Sequence, residues 1–342
     1  MALSVIAAYL SDMTTIRELA QFSQLYIVVA FFVGLLFGSF LNVCIARLPK
    51  HESVIHPKSR CMSCSHAIRW YDNVPLFSFL LLRGRCRDCT KKIPWRYPAV
   101  EVAFALWLAV LVWRWFTIPS FFTGIFGLAS SAMERDITTR VWVGEGMSVL
   151  VPAILGFLLI GLMVMDWQTQ RLPDAFTLTG IAVGFVLTCV QAFFLAPGEG
   201  DIKIDTTHQL RMSSPGSFAS QGNVFMTGSE ALIWERILAI CGAALLLFTI
   251  SAIYKAARKR DGMGMGDVKL LAMIAAFLGF GESLFALFIG VVTAAVYGII
   301  LLGRRRAAAT TRLPFGSFLA GGGLFAALFG PRIVSWYTNL LH

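Results

Sequence analysis

Long uncharged stretches dominate the chain, and their lengths predict the architecture. Crossing a hydrocarbon core takes about 20 mostly apolar residues. Runs of this kind occupy residues 19–46, 146–165, 175–198, 237–254, 283–303 and 313–331. Two weaker segments join them. Residues 98–113 carry only Glu101, near the start, and Arg114 can snorkel from the far end. Residues 268–281 are short, with Lys269 placed to reach back to the headgroups. Together they predict an all-α polytopic membrane protein of about eight transmembrane helices. Residues 115–133 are also uncharged, but Trp, Phe and a Pro–Ser break make them read as interfacial or re-entrant. A ninth span there would reverse every later orientation.

Composition agrees with this pattern. Of 342 residues, 57% are hydrophobic and 14% charged, with a mean hydropathy of +0.72. Soluble chains hold about 45–50% apolar and about 25% charged residues. Soluble, collagen-like, disordered and small disulfide-rich classes are excluded together. With the N-terminus outside, 21 of the 29 Lys/Arg fall on the inner side, 11 of them in residues 47–98. Basic residues favour short cytoplasmic loops, so the net charge of +10 is read as topology. Membrane lipid is an expected partner and nucleic acid is not.

The same reading divides the chain. Residues 1–24 form an N-terminal segment without a cleavable-signal pattern, and 25–46 the first helix. Residues 47–98 form an inner region with a small insert, and 99–145 a second helix plus an outer-side insertion. Residues 146–335 form a second membrane domain with a polar outer loop at 196–232. No internal repeat stands out.

Cys61-Met62-Ser63-Cys64 and Cys86-Arg87-Asp88-Cys89 are two CxxC pairs separated by 21 residues. Two such turns facing each other make a tetrahedral four-thiolate site, so Cys61, Cys64, Cys86 and Cys89 are expected to bind structural zinc in a zinc-ribbon-like insert. The spacing lies slightly outside the usual ribbon range. Two disulfides or idle thiols are the alternatives, and a reducing cytoplasm disfavours the former. Cys44, Cys189 and Cys241 lie in apolar runs and read as packing residues. His51, His56 and His66 read as solvated loop residues.

A second group of residues lies at membrane edges. Asp166 closes one apolar run, shortly before Leu172-Pro173-Asp174, and Asp267 closes Gly262-Met263-Gly264-Met265-Gly266-Asp267-Val268-Lys269. Ionisable groups near membrane depth point to function. Alternating glycines allow the backbone to leave helical geometry and another segment to approach closely. Two carboxylates sharing a proton can activate water and polarise a peptide carbonyl, the chemistry of aspartic proteases. Equally, Asp267 can cap the following helix, Asp166 can be an interfacial charge and Asp174 a cap after Pro173.

Further motifs carry a resemblance. Gly38-Ser39-Phe40-Leu41-Asn42-Val43, Arg47-Leu48-Pro49, the CxxC pairs, Trp70-Tyr71-Asp72-Asn73-Val74-Pro75, Leu82-Arg83-Gly84-Arg85-Cys86 and Arg96-Tyr97-Pro98 occur in that order. With Asp166, Leu172-Pro173-Asp174, Gly262 to Leu270 and Pro314-Phe315-Gly316, the chain from Leu25 to Gly330 resembles the bacterial type IV prepilin peptidases. The resemblance implies a bifunctional enzyme of the bacterial inner membrane, with its active site on the cytoplasmic side. Such an enzyme cleaves the short basic leader of type IV prepilins or type II secretion pseudopilins, then N-methylates the new terminus with S-adenosylmethionine. It implies Asp166 and Asp267 as the catalytic pair, with Gly264, Gly266 and Lys269 shaping the substrate loop. Residues 47–98 become a methyltransferase-associated region, and Gly38, Asn42, Trp70, Tyr71, Asp72 and Asn73 candidate cofactor-binding residues. Gly38 can instead pack helices and Asp72 cap a turn. Ser317 departs from the family, which commonly has proline there, a change read as touching packing more than chemistry. Two other readings stand beside this one: a peptidase without methyl transfer, and a zinc-containing scaffold or proton-coupled transporter.

Overall fold

The computed structural model describes residues 2–56, 59–61, 63–117, 134–195, 202–204, 210–212, 229–259, 264–304 and 313–341. Its helices are α1 (Ala2–Arg47), α2 (Phe77–Leu81), α3 (Arg96–Thr117), α4 (Glu134–Thr169), α5 (Asp174–Leu195), α6 (Ser229–Arg258), α7 (Met265–Leu278), α8 (Phe280–Gly303) and α9 (Phe315–Leu341). Two short strands, β1 (Ile202–Ile204) and β2 (Leu210–Met212), pair antiparallel within the predicted polar loop. The last residues of that loop, 229–232, already belong to α6, while the rest of it beyond these strands, most of residues 115–133, and Gly262 and Met263 lie outside the described residues. Each of the eight predicted spans is mostly helical among the described residues. Among the described residues, six helices are long and apolar enough to cross a membrane: α1, α3, α4, α5, α6 and α8.

The chain divides into two compact units: Met1–Cys44 with Val54–Glu134, and Ile45–Ser53 with Arg135–His342. In the first, α1 packs on α3 through small residues four apart. A Cβ on Gly34 would stand 2.5 Å from the Ala105 Cα, and one on Gly38 2.7 Å from the Glu101 Cα. Glycines at this spacing let helix backbones approach where no hydrophobic effect drives them together. Leu35, Leu41 and Cys44 on α1 and Val100, Phe104, Ala105 and Trp107 on α3 are consequently buried. Gly34→Val, which overpacks this contact, is expected to cost about 1–3 kcal/mol. The lowered midpoint of thermal unfolding in detergent is the check.

The second unit is built around α7. Residues 270–277 of this helix are all buried, as expected of a helix apolar on every face. It has 14 residues and rises about 21 Å, short of the roughly 30 Å hydrocarbon core. Gly279, at φ 103°, ends it and serves as the N-cap of α8, and the Arg236 guanidinium donates to the Ala275 carbonyl near that end (3.2 Å).

Two expectations are corrected. Lys269 does not reach for headgroups: its ammonium pairs with Asp174 at 2.7 Å, a nearer anion at the start of α5. The last span does not stop at Pro331, because α9 continues through it to Leu341. Proline removes one helical hydrogen bond without forcing an end.

Candidate functional site

Each unit carries a cluster of chemically active side chains. In the first, the CxxC pairs form two matching knuckles. Cys61 N–H donates to the His66 carbonyl and Ser65 N–H to Cys61, and Cys86 N–H donates to Lys91 and Thr90 N–H to Cys86. Ile68 and Ile93 close the two turns on Ser59 and Gly84, and Ser65 and Thr90 share positive φ. The sequences match too: Arg60-Cys61-Met62-Ser63-Cys64-Ser65-His66-Ala67-Ile68 aligns with Arg85-Cys86-Arg87-Asp88-Cys89-Thr90-Lys91-Lys92-Ile93. This nine-residue match corrects the reading that no internal repeat stands out.

The four sulfurs lie within 4.8 Å of one another, and Cys61 Sγ to Cys89 Sγ is 3.8 Å. A tetrahedron with zinc–sulfur bonds of about 2.3 Å has edges of about 3.8 Å. A disulfide needs sulfurs about 2.05 Å apart, and all seven cysteines are free. The donor set and its spacing therefore fit a metal ion. Cys61 falls to about 6, chiefly because the Cys64 and Ser63 N–H groups serve its sulfur. Cys64 rises to about 12 although the His66 N–H favours its thiolate, since desolvation and three neighbouring sulfurs oppose a second charge. A divalent cation relieves that conflict.

The second knuckle is tied to the Trp70–Asn73 turn. Arg87 grips Asp72 with both ends of its fork, Nε to Oδ2 at 2.8 Å and a terminal nitrogen to Oδ1 at 2.6 Å. These hydrogen bonds hold the Asp72 carboxyl below its ordinary range. The guanidinium also lies over the Tyr71 ring. Asp72 thus spends both oxygens on holding the insert together, while Tyr71 and Asn73 stay exposed. Gly38 and Asn42 come from α1. Gly38 lies against the Glu101 backbone, and the Asn42 amide donates to the Tyr97 carbonyl at 2.9 Å. Sequence reasoning missed what joins these motifs, Glu101. Its carboxylate accepts the Leu76 N–H at 2.8 Å, and the Ser39 and Asn42 side chains stand beside it. The available signal was a lone carboxylate inside an apolar run.

In the second unit α4 and α7 bring Asp166 and Asp267 together. Both are buried, at 5% and 9% exposure. Asp267 sits in the first turn of α7, whose N-cap is Gly264, with no side-chain cap bond. It is therefore not a helix cap. Gly266 lies inside that turn, and a Cβ there would stand 3.1 Å from Leu172. On the other side, a Cβ on Gly316 would stand 3.0 Å from Leu172 and 3.1 Å from the Asp166 carboxyl. The glycines thus serve close approach; Gly266 does not break the helix.

Ser317 corrects the sequence reading most directly. Its backbone N–H donates to Asp166 Oδ2 at 2.7 Å, and its hydroxyl lies 3.0 Å from the same oxygen and 2.9 Å from the Met163 carbonyl. A proline here would supply neither donor. Asp166 stands near the C-terminal end of α4, where the helix dipole disfavours an anion, and the first turn of α9 compensates. Ser317 therefore holds the Asp166 carboxyl directly, beyond a role in packing. Asp174, paired with Lys269, lies at the exposed start of α5.

Comparison with known proteins gives similarities over most of the chain. Residues 32–115 match the Bacterial Peptidase A24 N-terminal domain, and residues 217–299 match the Type IV leader peptidase family. A prepilin leader peptidase/N-methyltransferase of Pseudomonas putida is 29% identical over 96% of this chain and 99% of its own length. One from Pseudomonas aeruginosa is 28% identical over 96% of this chain and 98% of its own. One from Myxococcus xanthus is 32% identical over 82% of this chain and 64% of its own. No solved structure matches the chain.

Proposed function

We propose that this chain, which belongs to the type IV leader peptidase family, is a membrane aspartic endopeptidase and N-methyltransferase. It removes the short basic leader of type IV prepilins or type II secretion pseudopilins and then methylates the new N-terminal residue. The observation that carries the peptidase reading is the buried pair Asp166 and Asp267, approached from α4 and α7 with glycine on either side. Ser317 supports a division of labour, because hydrogen bonds to a carboxylate favour its anion. Asp166 is then the base and Asp267 the acid. Asp166 takes a proton from water as the water oxygen attacks the scissile carbonyl carbon, and Asp267 gives its proton to the carbonyl oxygen. When the carbon–nitrogen bond breaks, the leaving nitrogen takes the proton from Asp166 and a hydroxyl proton returns to Asp267.

The rest of the site suits a helical substrate entering from the membrane. Trp167, half exposed beside Asp166, packs edge-on against Tyr297 and Phe318 and offers apolar surface for the precursor's hydrophobic segment. Gly264, Gly266 and the Lys269–Asp174 pair shape the substrate side of α7. The basic-residue asymmetry supports a bacterial inner-membrane location with both clusters facing the cytoplasm, where the basic leader remains.

The four-cysteine centre suits zinc, held by Cys61, Cys64, Cys86 and Cys89 in a closed structural site. Methyl transfer belongs to the first unit in this reading, with Gly38, Asn42 and the Trp70–Asn73 turn near the methyl donor. S-adenosylmethionine, when bound, supplies an electrophilic methyl group, and the chain's task is to hold donor and amine in register. Mass spectrometry of a precursor peptide incubated with purified protein tests the reading. Leader loss is expected without additions, and the product gains one CH2, about 14 Da, only with S-adenosylmethionine. An intact precursor would leave a scaffold or transporter, and cleavage without mass gain a peptidase alone.

A further inference from the structure

Glu101 is a buried carboxylate whose neighbours are almost all neutral. It is 8% exposed on an apolar helix. The groups that meet its charge are the Leu76 N–H, the Ser39 hydroxyl and the Asn42 amide. Among the described residues no Lys or Arg forms an ion pair with it. Burying an anion without a cation is costly, and hydrogen bonds from neutral donors offset that cost only in part. The surrounding backbone is also constrained toward it. Leu76 presents its N–H from φ 60°, ψ −48°, a conformation leucine rarely adopts, and such outliers gather at functional sites. Gly38 leaves no space above the Glu101 backbone, so the turn of α3 that carries the carboxylate is packed directly on α1.

The residues meeting at this carboxylate come from segments otherwise far apart in sequence: Gly38, Ser39 and Asn42, then Leu76 at the end of the Trp70–Asn73 stretch, then Tyr97 through Asn42. Ser78 adds a further tie, its hydroxyl donating to the Tyr71 carbonyl at 3.1 Å. The turn, the loop and both helices are thereby arranged around one negative charge. Both reactants of an N-methylation are cations before the reaction, a trialkyl sulfonium and a terminal ammonium. We infer that Glu101, flanked by Ser39 and Asn42, is an anionic subsite that receives an organic cation, sulfonium or ammonium, in the methyl-transfer half of the protein. The inference rests on the methyltransferase reading but is tested by binding.

The full-length protein in detergent is titrated calorimetrically in two arms. One compares S-adenosylmethionine with its neutral thioether product, S-adenosylhomocysteine. The other compares a pre-cleaved peptide bearing a free N-terminus with the same peptide acetylated. A charge-assisted contact is expected to favour the cationic member of one pair roughly tenfold, and the arm that responds identifies the source. Glu101→Gln still accepts the Leu76 N–H but lacks the charge, so it should lose that preference, whereas Glu101→Asp should keep part of it. Zinc content and unfolding midpoint report whether each variant is folded. Absence of a charge preference in both wild-type arms overturns the inference without needing any variant. A preference that persists unchanged in folded Glu101→Gln overturns it too. A protein that binds with this preference yet transfers no methyl group would leave the subsite standing and remove the methyltransferase reading instead.

Discussion

Serine at both Cys61 and Cys64 is expected to take the purified protein from about one zinc per chain to none. The two knuckles have few apolar contacts of their own; Ile68 is exposed and Ile93 only partly covered. A metal held by the four thiolates would be the bond that joins them, and removing half of the ligands would remove the force that closes the pair. Residues 61–89 should become sensitive to protease, with cuts appearing inside the insert before the helices are touched. The loss should spread through Arg87, because its grip on Asp72 is what ties the second knuckle to the Trp70–Asn73 turn. Methyl transfer is expected to fall by about two orders of magnitude or more, as for a misplaced reactant, and leader cleavage by much less. Zinc measured by mass spectrometry on the double variant is the check, and full occupancy would remove the four-cysteine centre from the account.

How much of this could be read in advance depended on whether the signal was periodic or local. The long helices were legible because an apolar run of bilayer length has few other uses. Their ends were less so. Polar residues continue a helix beyond the apolar run, as in α4, which starts at Glu134 although its uncharged stretch begins at Gly146. The cysteine centre was legible from spacing, because ligand chemistry fixes the residue type. Its internal repeat was equally present in Arg60 to Ile68 and Arg85 to Ile93, but at nine residues is shorter than any of the long helices. Asp166 and Asp267 were visible as charges at the edges of apolar runs. What brings them together, the packing of Leu172 between Gly266 and Gly316, is a three-segment contact that spacing along the chain does not encode. The contacts of Ser317 and Glu101 were not legible, for one reason. Their importance lies in which group each hydrogen-bonds, and that is set by tertiary contacts rather than by residue type.

Asparagine at Asp166 or at Asp267 is expected to abolish leader cleavage, with losses of at least about a thousandfold each. Asparagine keeps the shape of the side chain and can accept the Ser317 N–H, so the local packing should survive. It cannot take a proton from water or return one to a leaving nitrogen, and general acid–base catalysis contributes about 10²–10⁴-fold on its own. Because the two carboxyls act as one unit, the double variant should be scarcely worse than either single one. Asp174→Asn should be mild. Its pairing with Lys269 lies at the surface, with 62% of the Asp174 side chain exposed, and exposed ion pairs are worth about 0–1 kcal/mol. If the two carboxyls share a proton during turnover, the pH–rate profile belongs to both residues together.

The central claim is that this pair cuts, and one measurement reaches it most directly. Purified Asp267→Asn protein is given a full-length precursor and, in the same preparation, a pre-cleaved peptide with S-adenosylmethionine. Methyl transfer on the pre-cleaved peptide reports a folded, membrane-competent chain, and release of the leader from the precursor reports the pair. Methylation near the wild-type rate with no detectable leader release is the predicted result. Leader release at the wild-type rate by that same folded protein would contradict the account.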